Sequence, residues 1–266
     1  MAHSAIIDAL FCIPKSGTVL QISDCVPFNQ DLGPQMQLSG IAGAVLAPCN
    51  CSQCQHQWNC ADRRTHEIVN AVAKNSKLRG LASYDPLKIG DSLRWIDEAV
   101  GRGGVVGAYA QAECCVSGLH APRMYPLYGM CAKLRSPVVL DFTSRERWLH
   151  HRPQVEVVAA DFPELDILLA TPPETDVTSV LKMLQRFPRV SFLIAPEDMH
   201  STAALYEHAE LQGRERFLFR SSAKGWTAAV EAARTLPLGP AARSAYLSGN
   251  AMRLFNFSLE LATPAA

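Results

Sequence analysis

Eight short apolar runs punctuate the chain, at residues 5–12, 41–47, 78–84, 104–110, 136–142, 166–170, 189–194 and 216–219. Each is rich in Val, Ile, Leu, Ala or Phe and has the length of a buried strand. The runs are nearly continuous rather than alternating, the pattern of parallel strands covered on both faces. Helical patterns separate most of them, at residues 62–75, 91–102, 125–134, 154–162, 176–187, 203–211 and 227–236, and a last one follows at 240–247. In the first, Ile68, Val69, Val72 and Ala73 share a face; in the second, Leu93, Ile96, Ala99 and Val100 do so behind the acidic cap Asp91. Pro163, Pro188, Gly213, Pro237 and Gly249 close successive helical stretches.

Strand–helix alternation of this count predicts an α/β fold, a single-domain (β/α)8 TIM-like barrel. An open doubly wound sheet is the competing architecture, and no glycine-rich fingerprint follows the first strand to support it. The length of 266 residues suits one barrel domain spanning residues 1–266. A hydrophobic share of 48% is enough for a sizeable core and excludes global disorder. The 25 basic residues balance 25 acidic ones, which argues against nucleic acid or an anionic membrane as partner. No apolar run reaches the ~18 residues of a membrane span. Residues 1–12 lack the basic start and cleavage motif of a signal peptide. A cytoplasmic, reducing setting is therefore expected. There the nine cysteines read as free thiols, metal ligands or redox groups rather than a disulfide framework.

Several segments carry a resemblance through their order and spacing. They are Ile6-Ile7-Asp8-Ala9 on the first strand, Gly80-Leu81-Ala82 followed by Asp85-Pro86 on the third, and Pro137-Val138-Val139-Leu140 on the fifth. Phe162-Pro163-Glu164-Leu165 leads to Ile167-Leu168-Leu169-Ala170, and Phe217-Leu218-Phe219 precedes Ser221. Leu236-Pro237-Leu238 and Gly249-Asn250-Ala251-Met252-Arg253-Leu254-Phe255 close the chain. Together they resemble the amidohydrolase-related family, the decarboxylase and lactone-hydrolase branch of the metal-dependent barrel hydrolases. The resemblance covers nearly the whole chain. It implies a barrel with its site at the C-terminal strand ends, small carboxylated or cyclic substrates, and a homodimer.

The resemblance also implies where metal ligands should stand: His-x-His after Ile-Asp-Ala, a histidine ending the fifth strand, another after Ala170, and Ser-Asp after the eighth. This chain has Leu10 and Cys12, Asp141, Thr171, and Ser221-Ser222 at those places. Leucine and threonine cannot replace imidazole on zinc, and Cys12 with Asp141 makes two ligands, fewer than a closed site needs. The fold expectation rests on the pattern and stands; the ordinary hydrolase chemistry rests on the site and does not follow.

On this alignment Cys12, Gln111, Asp141 and Thr171 crown the barrel, with Ser222 beside them and Tyr109 on the face of Gln111. Asp141 is a candidate general base, Cys12 a candidate nucleophile if a neighbour favours its thiolate, and Arg220 a candidate partner for Asp141 or for a substrate carboxylate. Gln111, Tyr109, Thr171, Ser222 and Trp226 are the candidate substrate-binding groups. Plain structural roles stand beside each: a cysteine at a strand end is a small hydrophobe, a strand-end Asp caps a loop, and Arg220 with Trp226 closes the barrel end.

A second feature follows the second strand: Cys49, Cys51, Cys54 and Cys60, with His56 inside the loop. Four thiolates this close could hold one zinc or iron, exchange as redox thiols, or be incidental. Cys114-Cys115 follow the fourth strand, while Cys25 and Cys131 read as structural. His150-His151 with Arg145, Arg147 and Arg152 reads as an anion clamp or a solvated helix face. His200 beside Glu197 and Asp198 reads as a catalytic trio or as acids at a helix start. Three functions remain in view: a divergent amidohydrolase-like enzyme performing hydrolysis or non-oxidative decarboxylation, a non-catalytic barrel partnering an active enzyme or related subunit, and a thiolate-metal or redox protein built on the 49–60 loop.

Overall fold

The computed structural model describes residues 5–12, 31–48, 60–112, 118–142, 144–170, 177–200, 205, 207–208, 214–221 and 225–257. Eight strands, β1 (Ile6–Cys12), β2 (Ile41–Ala47), β3 (Leu78–Ser83), β4 (Val105–Gln111), β5 (Val138–Asp141), β6 (Ile167–Ala170), β7 (Val190–Ile194) and β8 (Phe217–Phe219), run in sequence order. All neighbouring pairs from β1 to β8 are parallel. The sheet curls into a nearly closed barrel, as the continuous apolar runs predict, and every predicted strand lies within two residues of an observed one. No described helix is long and apolar enough to cross a membrane.

Helices α1 (Gly33–Ser39), α2 (Cys60–Lys74), α3 (Ile89–Gly101), α4 (Tyr125–Leu134), α5 (Arg145–Asp161), α6 (Val177–Arg186) and α7 (Pro196–His200) alternate with the strands. After β8 come α8 (Trp226–Arg234), α9 (Pro240–Ser244), a π-helical turn over Ala245–Gly249, and α10 (Asn250–Leu254). Two apolar shells result. Ala44, Leu140, Ile167 and Phe192 face the helices in the outer one, while Ile7, Val45, Leu81, Val139, Leu168 and Leu218 fill the barrel. Ala251, Phe255 and Phe257 join the inner shell, so the C-terminal segment plugs the barrel.

One boundary differs from the sequence expectation. The pattern starts the fifth helix at residue 154, behind Pro153, yet α5 begins nine residues earlier. Ser144 supplies the start signal: it is extended, and its hydroxyl accepts from Arg147 N at 3.2 Å. Pro153 then sits inside the helix on its exposed side, where water can hydrogen-bond the carbonyl it leaves free. The predicted helix at 240–247 runs on to Leu254 as one helical stretch, because the π-turn in its middle widens the helix without breaking it.

Among the described residues the backbone ladder runs from β1 to β8 with no pairing of β8 to β1, and side chains close that seam. Asp8 on β1 accepts from Ser221 just past β8, by its backbone N at 3.0 Å and its hydroxyl at 2.5 Å. Asn250 Nδ2 donates to Phe217 O on β8 and to Arg214 O in the turn before it, both at 2.7 Å.

Candidate functional site

The register of the central strands assembles one end of the barrel. Gln111 pairs with Asp141, and Asp141 with Ala170, so the last residues of β4, β5 and β6 are level. Tyr109 lies two residues before Gln111 and so points the same way. Its phenolic OH donates to Asp141 Oδ2 at 2.6 Å. Tyr109 is 2% exposed and Asp141 9%, whereas Gln111 is half-buried. A phenol locked onto a carboxylate at the strand ends is an acid–base pair with one side in the apolar inner shell and the other at the mouth.

A second polar group forms at the β1–β8 seam. Besides the two bonds from Ser221, Asp8 accepts from Trp226 Nε1 at 2.7 Å and from Leu10 N at 3.2 Å. Asp8 is fully buried, and burial pushes its carboxyl above the usual range despite the opposing pull of Ser221, Trp226 and Leu10. The Trp226 ring is buried and tilts against Phe11 with centroids 4.3 Å apart. A third group gathers at the ends of β7 and β8. Ile194 O accepts from Tyr246 OH at 2.8 Å and, more weakly, from Arg220 N at 3.4 Å. Burial first, then the negative charges of Glu197 and Asp198, raise the Tyr246 phenol well above its ordinary value; Arg220 opposes them and Asp8 adds to them. Glu197, Asp198, Arg220 and Asp8 therefore all act on one buried phenol.

The structure thus brings Tyr109, Gln111 and Asp141 together and places half-buried Arg220 at the end of β8. Trp226 sits at the same end, with its indole N–H held by Asp8. Cys12 ends β1, and its side chain lies outside the described residues, as does that of Cys60 at the start of α2. Thr171, Ser222, Cys49, Cys51, Cys54, Cys114 and Cys115 also lie outside them. Cys131 is buried and free, with its thiol pushed up to about 12 by desolvation, in keeping with a structural role. The predicted basic cluster splits. Arg145, Arg147 and His150 are exposed, but His151 is buried, its Nδ1 3.3 Å from Gln154 Oε1, and Arg152 bonds Ser179 on α6.

Asp8 and Tyr246 were not singled out by sequence. Asp8 had a signal: a lone carboxylate amid an apolar strand must find donors when buried. Tyr246 had none, because its position depends on the π-turn.

Residues 30–257 match the amidohydrolase family (Amidohydro_2). The chain belongs to that family. Solved structures agree on the fold. A 5-carboxyvanillate decarboxylase from Novosphingobium aromaticivorans, complexed with manganese and 4-hydroxy-3-methoxy-5-nitrobenzoic acid, is 14% identical over 96% of each chain with a TM-score of 0.70. A dihydroxybenzoic acid decarboxylase from a Polaromonas species, with manganese and the inhibitor 2-nitroresorcinol, is 15% identical over 95% of this chain and 97% of its own, TM-score 0.64. A protein described as a probable 2-pyrone-4,6-dicarboxylic acid hydrolase from Acinetobacter baumannii, with citric acid bound, is 12% identical over 95% and 99%, TM-score 0.66. No curated protein matches the chain.

A family metal can be tested against the side chains present. Leu10, where the resemblance expects imidazole, is 3% exposed within the inner apolar shell. Asp141 is bonded by Tyr109. Among the described residues no group of three or more His, Cys, Asp or Glu side chains is placed to hold a metal ion. Of the positions where the resemblance expects a ligand, Leu10 offers no donor atom, while Thr171, Ser222 and the side chain of Cys12 lie outside the described residues.

Proposed function

We propose that this amidohydrolase-family barrel is an enzyme acting on a small carboxylated or cyclic metabolite at its C-terminal mouth, by hydrolysis or non-oxidative decarboxylation, without a His/Asp metal site. The observation that carries this reading is the Tyr109–Asp141 pair, level with Gln111 at the strand ends. In hydrolysis, Asp141 takes a proton from water as the water oxygen bonds the substrate carbonyl, then returns it to the leaving oxygen. In decarboxylation, the electrons of the breaking carbon–carbon bond stay on the substrate carbon, which takes a proton from Asp141 as carbon dioxide departs. Tyr109 orients the carboxyl in either case. Arg220 provides the cation for a substrate carboxylate, and Gln111 a neutral amide contact.

The test is turnover of a panel of cyclic esters and aromatic carboxylic acids, with and without chelator. Activity should survive chelation, and Asp141→Asn should lower kcat by roughly 10²–10⁴-fold. No turnover of either substrate class, or activity lost on chelation and restored by a metal, overturns the reading. A second reading, a non-catalytic barrel partnering an active enzyme, is favoured by the burial of Leu10 in the apolar shell. It predicts no turnover alone and a gain in a partner enzyme's activity on mixing.

A further inference from the structure

A cavity of about 490 Å³ opens at the N-terminal ends of β5, β6 and β7, the end of the barrel opposite Tyr109 and Asp141. Its size is that of a small-molecule pocket. Ala132 and Arg135 line it from the end of α4, Glu164, Leu165 and Asp166 from the approach to β6, and Arg189 from the approach to β7. Two cations and two carboxylates therefore share one cavity. One of each is already matched: Arg189 Nη1 lies 3.1 Å from Asp166 Oδ2, and Asp166 also supports the charge of Arg216. The other two are not. The Arg135 guanidinium and the Glu164 carboxylate are exposed and have no ion-pair or hydrogen-bond partner among the described residues, one another included.

The backbone adds a second observation. Arg135 stands directly after α4 in the left-handed region, at φ 51° and ψ 37°. Its N–H reaches Ala132 O at 3.1 Å and that of Ser136 reaches Cys131 O at 3.0 Å, a helix-ending turn in which glycine is the usual residue. Asn256 is the one other non-glycine residue at positive φ among the described residues, and asparagine tolerates that region. For arginine the Cβ makes the conformation costly, and the side chain gains no internal ion pair or hydrogen bond in return. A single unpaired surface charge is ordinary. A strained, unpaired cation and an unpaired carboxylate on one cavity, beside a matched pair, ask for a ligand with one negative and one positive group. We propose that this cavity is a second binding site, for a small amino-acid zwitterion whose carboxylate takes Arg135 and whose ammonium takes Glu164. Its carbon stem lies on Ala132 and Leu165. A simple anion would meet Glu164 as a like charge, and a simple cation would meet Arg135 so. This end of a barrel serves stability rather than catalysis, so the ligand is held and not transformed.

Saturation-transfer NMR on the full chain tests this with glycine, β-alanine, γ-aminobutyrate and δ-aminovalerate, in which the two charges stand progressively further apart. Acetate and ethylamine are the single-charge controls. One of the amino acids should bind at least about tenfold more tightly than either control. Arg135→Gly should abolish that binding without lowering the melting temperature, since glycine takes φ 51° without strain. Glu164→Gln should reduce the favoured amino acid to the level of acetate. The proposal is overturned by an absence of binding for all four amino acids, or by acetate binding as tightly as they do. Binding that survives Arg135→Gly belongs elsewhere, such as at the mouth, and overturns it too. So does an Arg135→Gly variant that melts well below wild type, because Arg135 would then serve the fold.

Discussion

Replacing Asp8 separates its bonding role from its charge. Its two oxygens accept from Leu10 N, Ser221 N, Ser221 Oγ and Trp226 Nε1 at 3.2, 3.0, 2.5 and 2.7 Å. Asp8→Ala leaves the Trp226 N–H and the Ser221 N–H facing a void. Each stranded buried donor costs about 1–3 kcal/mol, so a loss of about 3–5 kcal/mol is expected. Asp8→Asn keeps one oxygen for Ser221 N and Leu10 N, while Ser221 Oγ can turn to accept from the new amide. The remaining conflict is one amide N–H against the Trp226 N–H, for a loss of about 1–2 kcal/mol. Trp226→Phe in the Asp8→Asn background removes that conflict, so the double variant should be less destabilised than the two single losses together. The pH dependence has a definite sign. Burial raises the folded carboxyl above its usual 3.8. The folded state therefore binds the proton more tightly, and the stabilisation from this group is full below 3.8 and is lost as pH rises through the folded value. The advantage of wild type over Asp8→Asn should accordingly shrink as pH rises above 3.8. Urea unfolding followed by tryptophan fluorescence and circular dichroism at several pH values measures each quantity. An Asp8→Ala variant within about 1 kcal/mol of wild type would refute the view that Asp8 closes the barrel.

Asn250→Ala should cost about 1–3 kcal/mol, because Phe217 O and Arg214 O lose the amide that serves both; the same urea titrations report it, and no change would mean that water replaces the amide. Cys131, buried with its thiol pushed up to about 12, should resist iodoacetamide in the native protein near neutral pH and react once unfolded. Peptide mapping distinguishes it from the other cysteines, and rapid native alkylation at that peptide would contradict its burial.

The fold was legible because its strands are apolar on both faces, which leaves little ambiguity about where they run. Helix α5 was partly hidden because Pro153 reads as a breaker until its exposed side is known. The Tyr109–Asp141 contact was half legible. Strand parity puts Tyr109 on the face of Gln111, but the hydrogen bond depends on the register between β4 and β5, which one sequence does not display. Asp8 was read as part of a family-like strand, and its chemistry depends on Ser221 and Trp226, both more than two hundred residues away. Close approach was equally silent: a side chain at Gly107 would collide with Pro137 O at the start of β5, so glycine is required where two strands meet.

The seam between β1 and β8 has a consequence for how the chain is made. Asp8 waits 213 residues for Ser221 and 218 for Trp226. At about 5–20 residues per second of synthesis, the outer edge of β1 stays uncovered for roughly ten to forty seconds. An apolar strand with an open edge is a template for pairing with another nascent chain. A carboxylate in the middle of that strand discourages such pairing while the edge is bare. The residue that later fastens the barrel shut thus first serves as its guard on the ribosome.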